Sequence, residues 1–310
     1  MTRDLVLDCD PGHDDAIALM LALGNPTTNL LGVTTVSGNH TLPKVTRNAL
    51  SVLQLSGAPD VAVHPGCERP LVRAREIADE IHGASGLDGV ELPEPAAAPS
   101  HEHAVDYIIR TLMSRPAGSV TLVPTGPLTN IALAVRREPR IAERVREVVL
   151  MGGGYHTGNW SAVAEFNIKA DPEAAHIVFN ENWPLTMVGL DLTHQALATR
   201  QVRSRIAEVG SPCSDFAVDL LEFFRTTYRD EQGFPDPPVH DACAVAHLID
   251  PTILTTRAVP LDVELHGELT AGMTVADFRN PAPHDCSTRV AVDLDRERFW
   301  SLVVTAIRAL

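Results

Sequence analysis

The chain is poor in the residues that would staple it, anchor it or make it basic. Its 310 residues include five cysteines, at positions 9, 67, 213, 243 and 286, with no Cys-x-x-Cys pair. Neither a disulfide framework nor a zinc site is suggested, and a reducing compartment fits. No apolar run reaches the roughly 18 residues of a membrane span. The N-terminus runs directly into an apolar strand, without a basic stretch and apolar leader. A cytoplasmic protein without membrane contact is therefore expected. Basic residues number 25 against 40 acidic ones, for a net charge of −15. A surface of that sign repels a phosphate backbone, which argues against nucleic acid as a partner. The turn at 124–130 lacks the Gly-Lys-Ser/Thr ending of a P-loop. Neither repeats nor low-complexity linkers interrupt the chain, so one domain over 1–310 is expected.

What the chain does have is apolar mass, 45% of its residues, and one dense acidic stretch. Asp8-Cys9-Asp10-Pro11-Gly12-His13-Asp14-Asp15 carries four carboxylates. It follows the apolar run Leu5-Val6-Leu7, read as a buried strand, and precedes Ala16–Leu23, read as a core helix. Pro11-Gly12 breaks the chain between them. The acids thus fall at a strand's carboxyl end and a helix's N-terminus, where open α/β sheets bind ligands. Asp14 alone could be a helix cap. A cluster is different, because two like charges about 4 Å apart repel by about 4 kcal/mol at an effective dielectric near 20. Converging acids need a cation or must stay protonated. All-oxygen donors point to Ca²⁺ or Mg²⁺; His13 is the one nitrogen nearby.

Further strands are expected at about 30–36, 61–63, 120–123, 147–151 and 185–190. Helices are expected at about 44–55, 102–114, 131–136, 199–228, 242–249 and 296–310. Alternation at Val263, Leu265, Met273, Val275, Phe278, Val290, Val292 and Leu294 predicts antiparallel strands at the sheet's margin. The fold class is therefore α/β: an open, mostly parallel sheet flanked by helices, with antiparallel strands near the C-terminus. Polar clusters follow the strands. Asn39 lies in the turn Ser37-Gly38-Asn39-His40, where a plain turn residue is an equal reading. The loop at 66–100 is long and glycine-containing, as lids often are, and holds His82. Glu165 and Asn167 alternate about Phe166 and would share one side of an extended segment, suiting a pair of sugar hydroxyls. His240-Asp241 opens a helix in the same way as the first motif.

Four blocks together carry a resemblance. The opening motif, Pro124-Thr125-Gly126-Pro127-Leu128-Thr129-Asn130, Ala164-Glu165-Phe166-Asn167 with Asp171-Pro172-Glu173-Ala174-Ala175, and His240-Asp241 resemble, in order and spacing, the inosine–uridine-preferring nucleoside hydrolases. The resemblance implies a Rossmann-like fold and hydrolysis of purine or pyrimidine ribonucleosides to ribose and free base. It implies one Ca²⁺ held by Asp10, Asp15, Asp241 and the Thr125 carbonyl, with Asp10 as general base. Asp14, Asn39, Asn159, Glu165, Asn167 and Met151 would hold the ribose, with Phe166 beside it. His240 would assist the departing base, through a pKa near neutrality, and His82 and Tyr228 would close over it. A cytoplasmic homo-oligomer, dimer or tetramer, with a salvage role is implied too. Two other readings share these residues. One is a Ca²⁺-dependent nucleoside- or ribose-binding protein without turnover. The other is a Mg²⁺-dependent Asp-x-Asp phosphatase with Asp8 as nucleophile, although Pro11-Gly12 is unusual for that group.

Overall fold

The computed structural model describes residues 2–310. Ten strands occur among them: β1 (Arg3–Cys9), β2 (Thr28–Thr35), β3 (Val63–Pro65), β4 (Val120–Pro124), β5 (Glu147–Met151), β6 (Leu185–Val188), β7 (Leu254–Ala258), β8 (Leu261–Val263), β9 (Thr274–Ala276) and β10 (Thr288–Leu294). Eight of them form one sheet in the order β3-β2-β1-β4-β5-β6-β10-β7. Every pairing is parallel except β10 with β7.

Strand β1 shows why the sheet is covered on both faces. Its residues are apolar on alternate sides. Leu5, Leu7 and Cys9 join one hydrophobic layer, and Val6 joins the other. The first layer includes the helices His13–Gly24, Asp241–Ile249 and Arg296–Ala309; the second includes Ala104–Ser114, Thr129–Arg137 and Pro172–Phe179. Strands buried on both faces read as continuous apolar runs, which is how β1, β4 and β5 appear in the sequence.

The order of the strands locates the site. From β1 the chain moves outward through β2 to β3, then returns to place β4 on the other side of β1. The connections leaving β1 and β4 diverge, and a crevice opens at their carboxyl ends. Asp10 follows β1 and Thr125 follows β4 across that crevice. The helix Asp241–Ile249 packs beside His13–Gly24, bringing a second acidic N-terminus to the same place.

Several expected boundaries move. The third strand starts at Val63 rather than Val61, and β6 stops at Val188, because Leu190–Thr193 turns into a short helix. The helical region at 199–228 is two helices, Arg200–Ala207 and Pro212–Gln232, split by Gly210 in the left-handed region and capped anew by Ser211. The C-terminal alternation forms antiparallel pairs, as expected, but in two separate places. β8 and β9 pair as a separate ribbon, while β10 runs parallel to β6 inside the main sheet, with β7 as the antiparallel edge. A period of two identifies strands but says nothing of their partners.

Candidate active site

Gly12 caps the first helix, and Asp15 at its third position accepts from the Gly12 N–H at 3.0 Å. Capping thus falls to Asp15 rather than to Asp14. The other Asp15 oxygen accepts from the Thr125 hydroxyl at 2.8 Å, which ties the β1 end to the β4 end. Asn39 holds the same cluster from the β2 side. Its backbone N–H donates to Asp10 Oδ2 at 2.6 Å, and its amide donates to Asp15 Oδ2 at 3.2 Å. Glycine is required at two turns here: a Cβ on Gly38 or Gly126 would fall on the carboxylate of Asp10.

Asp10, Asp15 and Asp241 are 0–2% exposed and Asp14 is 6% exposed. Oxygens of Asp14, Asp15 and Asp241 lie within 4.8 Å of one another. Burial, with Asp15 as the like-charged neighbour, pushes Asp14 up to about 7 and Asp10 well above the carboxylate range. Burial also raises Asp15 to about 6, against bonds from Gly12 and Thr125. Asp241 is raised well above its usual value by burial and by Asp14 and Asp15. Without positive charge the site cannot comfortably hold its own carboxylates ionised.

Two buried oxygens in this cluster, Asp10 Oδ1 and Asp241 Oδ2, have no hydrogen-bond partner among the described residues. Buried polar atoms are rarely left so. The Thr125 carbonyl accepts from Asn167 Nδ2 at 2.8 Å and keeps a second lone pair. Carboxylate oxygens without partners and clustered acids, with a carbonyl that keeps a lone pair, form the donor set of a hard divalent cation; the close cluster is Asp14, Asp15 and Asp241, with Asp10 outside it. The residues present fit such an ion. His13 is not among them; it turns away to His82 and the Asp88 carbonyl.

Asp14, Asn39, His82, Thr125, Met151, Asn159, Glu165, Phe166, Asn167, Tyr228, His240 and Asp241 line one pocket. Asp10 and Asp15 are not among the lining residues but accept from two of them, Asn39 and Thr125. Glu165 and Asn167 are not on an extended segment. Glu165 caps the helix Phe166–Ala170, its oxygens accepting from the backbone N–H groups of Gly153, Asn167 and Ile168. The period-of-two reading fails because a buried cap, not a strand, orders these residues. Burial raises Glu165 to about 7. Asn167 spends its amide N–H on the Thr125 and Met151 carbonyls, and Asn159 Oδ1 accepts from Phe166 N–H. Asn167 Oδ1 and Asn159 Nδ2 are thereby left for a ligand.

At the other end, His240 Nδ1 meets Thr193 Oγ1 at 2.7 Å and Nε2 meets the Tyr228 hydroxyl at 2.7 Å. The expected near-neutral pKa of His240 does not hold: burial, with His194 nearby, pushes it well below the usual value. Thr193, Trp160 and Phe224 were not picked out from sequence. Trp160 and Phe224 line the pocket. Thr193 follows a strand, as Asp10, Asn39 and Thr125 do; Phe224 sits in an apolar helical stripe and gives no signal. Asp8 is 1% exposed and accepts from Thr34 and Asn130, so it is sealed from the attack that the phosphatase reading needs.

A family model described as inosine-uridine preferring nucleoside hydrolase matches residues 5–301. The chain is 54% identical to the inosine-uridine preferring nucleoside hydrolase of Crithidia fasciculata, over 100% of this chain and 99% of that one. It is 44% identical to the pyrimidine-specific ribonucleoside hydrolase RihB of Escherichia coli, over 99% and 97%. The solved purine-preferring ribonucleoside hydrolase from Gardnerella vaginalis superposes with a TM-score of 0.93 at 34% identity, covering 99% of this chain and 98% of that one.

The crowding of carboxylates gives a test by stability. In chelator, Asp241→Asn removes a buried repulsion, and its amide can donate to Asp14 or Asp15. The melting temperature of the metal-free variant should rise by about 2 °C. Added Ca²⁺ should raise the melting temperature of the unmodified protein but barely move the variant's. A metal-free variant that melts lower than its parent would contradict this electrostatic picture.

Proposed function

The chain belongs to the inosine-uridine preferring nucleoside hydrolase family, whose members are metal-dependent hydrolases, and from that premise we propose calcium-dependent cleavage of the N-glycosidic bond of ribonucleosides, giving ribose and a free base. The observation that carries this reading is the pair of sealed, unpartnered oxygens on Asp10 and Asp241, at a pocket whose lining combines carboxylates and amides with imidazole and aromatic rings. Asp10, Asp15, Asp241 and the Thr125 carbonyl would hold the ion. When bound, Ca²⁺ supplies the charge that engages vicinal hydroxyls and makes a nearby water easier to deprotonate.

The chain's own groups do the rest. Asp10 Oδ1, with no other proton to accept, takes one from the attacking water. Asn159, Asn167 and Asp14 orient the sugar, with Asn39, Glu165, Met151 and Phe166 shaping its cradle. The carboxylates stabilise the oxocarbenium-like ribosyl cation that forms as the bond stretches. His240 assists the base through Tyr228. With the Thr193 hydroxyl donating to Nδ1, the neutral imidazole donates from Nε2 to the tyrosine oxygen. The Tyr228 O–H is then free to hydrogen-bond the departing base. Cytoplasmic purine or pyrimidine salvage, by one catalytic domain acting as a homo-oligomer, belongs to the same proposal.

Inosine, uridine, cytidine and adenosine, scored for free base with and without chelator, test the function. The unmodified enzyme should release base from at least one, and chelation should stop it. Asp10→Ala should lose about 10³-fold or more of that turnover with the fold intact by circular dichroism. Nucleoside binding with no base released would favour a binding protein instead. For leaving-group assistance, His240→Ala should lose about 10²-fold on nucleosides and far less on p-nitrophenyl riboside, whose leaving group needs no proton. Equal losses on both would remove His240 from that role.

A further inference from the structure

The block Asp171-Pro172-Glu173, part of the sequence resemblance, contributes no residue to the pocket lining. Asp171 is fully buried and caps the helix Pro172–Phe179, one oxygen accepting from the Ala174 N–H at 3.1 Å. Ser, Thr or Asn would cap as well without taking a carboxylate out of water, so capping alone does not account for this side chain. Its other oxygen is spent elsewhere. It accepts from the Thr129 hydroxyl at 2.7 Å and from the Leu71 N–H at 2.9 Å, donors 42 and 100 residues away in the chain.

The Thr129 bond closes a frame. Thr129 stands four residues after Thr125, and Asp171 stands four residues after Asn167. Asn167 Nδ2 donates to the Thr125 carbonyl at 2.8 Å. The segments 125–129 and 167–171 are therefore joined to each other at both ends by side-chain bonds. The second segment is stiff, because most of it lies in the helix Phe166–Ala170. The first contains Pro127, whose ring fixes φ, and runs into the helix Thr129–Arg137. That helix starts at Leu128, which offers no side-chain cap, and the Thr129 hydroxyl goes to Asp171 instead.

The far corner of the frame is the functional one. The Thr125 carbonyl is one of the proposed ion ligands, and Asn167 turns its free oxygen to the pocket. We infer that Asp171 is a positioning residue: by holding Thr129 it keeps the Thr125 carbonyl against Asn167, aiming one oxygen at the ion and the other at the sugar. The inference rests on the nucleoside-hydrolase reading for the identity of that ion and sugar. The frame itself is a property of the chain alone. Asp171 touches neither ligand and acts only through its hold on these two residues.

Asp171→Ala would strip the cap and the Leu71 bond as well, which mixes positioning with folding. Thr129→Val breaks one bond only. A methyl group stands about 3.4 Å from an oxygen, so the 2.7 Å corner must open. In crystals grown without metal, the Asn167 Nδ2 to Thr125 carbonyl distance should pass the roughly 3.2 Å limit of a good N–H···O bond. Thr129→Ser, which keeps the hydroxyl, should restore it. By calorimetric titration Thr129→Val should bind Ca²⁺ about tenfold more weakly, with recovery in Thr129→Ser. Thr288→Val is the control. It removes a buried bond of the same kind, from the Thr288 hydroxyl to the Val259 carbonyl at 2.6 Å, where β7 ends beside β10. It should lower the melting temperature and leave Ca²⁺ affinity unchanged. An unchanged Asn167–Thr125 distance in Thr129→Val, equal Ca²⁺ losses in Thr129→Val and Thr129→Ser, or an equal loss in Thr288→Val overturns the inference. An unmodified protein that binds no Ca²⁺ overturns the metal reading and not the frame, which the metal-free crystals decide by themselves.

Discussion

Four carboxylates from two helix N-termini and one strand end meet where water hardly reaches. Each helix start favours an acid through its free N–H groups and dipole, and each carboxylate could be held alone. Together they repel in a medium that screens poorly. The surrounding structure is arranged to hold them regardless. Asp15 is fastened by Gly12, Thr125 and Asn39, and Asp10 by the Asn39 backbone, while one oxygen each on Asp10 and Asp241 is left with nothing. A fold that collects charge in this way is stable as a cation site and strained without one. The crevice between β1 and β4 is where a sheet of this topology can collect such residues from distant parts of the chain.

The leaving-group end is built on a different principle, with neutral rings in place of charge. His240 and His82 are both held well below their usual pKa, chiefly by burial. Neither is an imidazolium waiting to give up a proton. Each is oriented by a fixed partner, Thr193 for one and His13 for the other. In the proposed function, the Tyr228 hydroxyl beside His240 serves the base, while the acids at the opposite end serve the sugar.

The parts visible in the sequence were those set by local chemistry. The strand-turn-helix at 5–23 was legible because an apolar run, Pro11-Gly12 and an acidic helix start each point the same way. His240-Asp241 was legible for the same reason. Glu165 and Asn167 were rightly paired but placed on the wrong backbone, since a buried cap at a five-residue helix leaves no periodicity to read. β10 is legible as a strand beside an antiparallel margin, but its alternation does not say that it also pairs parallel with β6. Phe224 and Thr193 enter the site through packing of Pro212–Gln232 and Leu190–Thr193, which no local pattern announces. The near-neutral pKa of His240 was misread because burial, the dominant influence on it, is a property of the folded chain.

In the proposed function, the collected carboxylates serve one divalent ion whose charge engages a vicinal diol. Calorimetric titration of the enzyme with ribose and with 2-deoxyribose, in chelator and in saturating Ca²⁺, tests this. Ca²⁺ should tighten ribose binding by about tenfold or more and leave 2-deoxyribose, which lacks the 2-hydroxyl, nearly unchanged. Equal tightening of both sugars, or of neither, would contradict it.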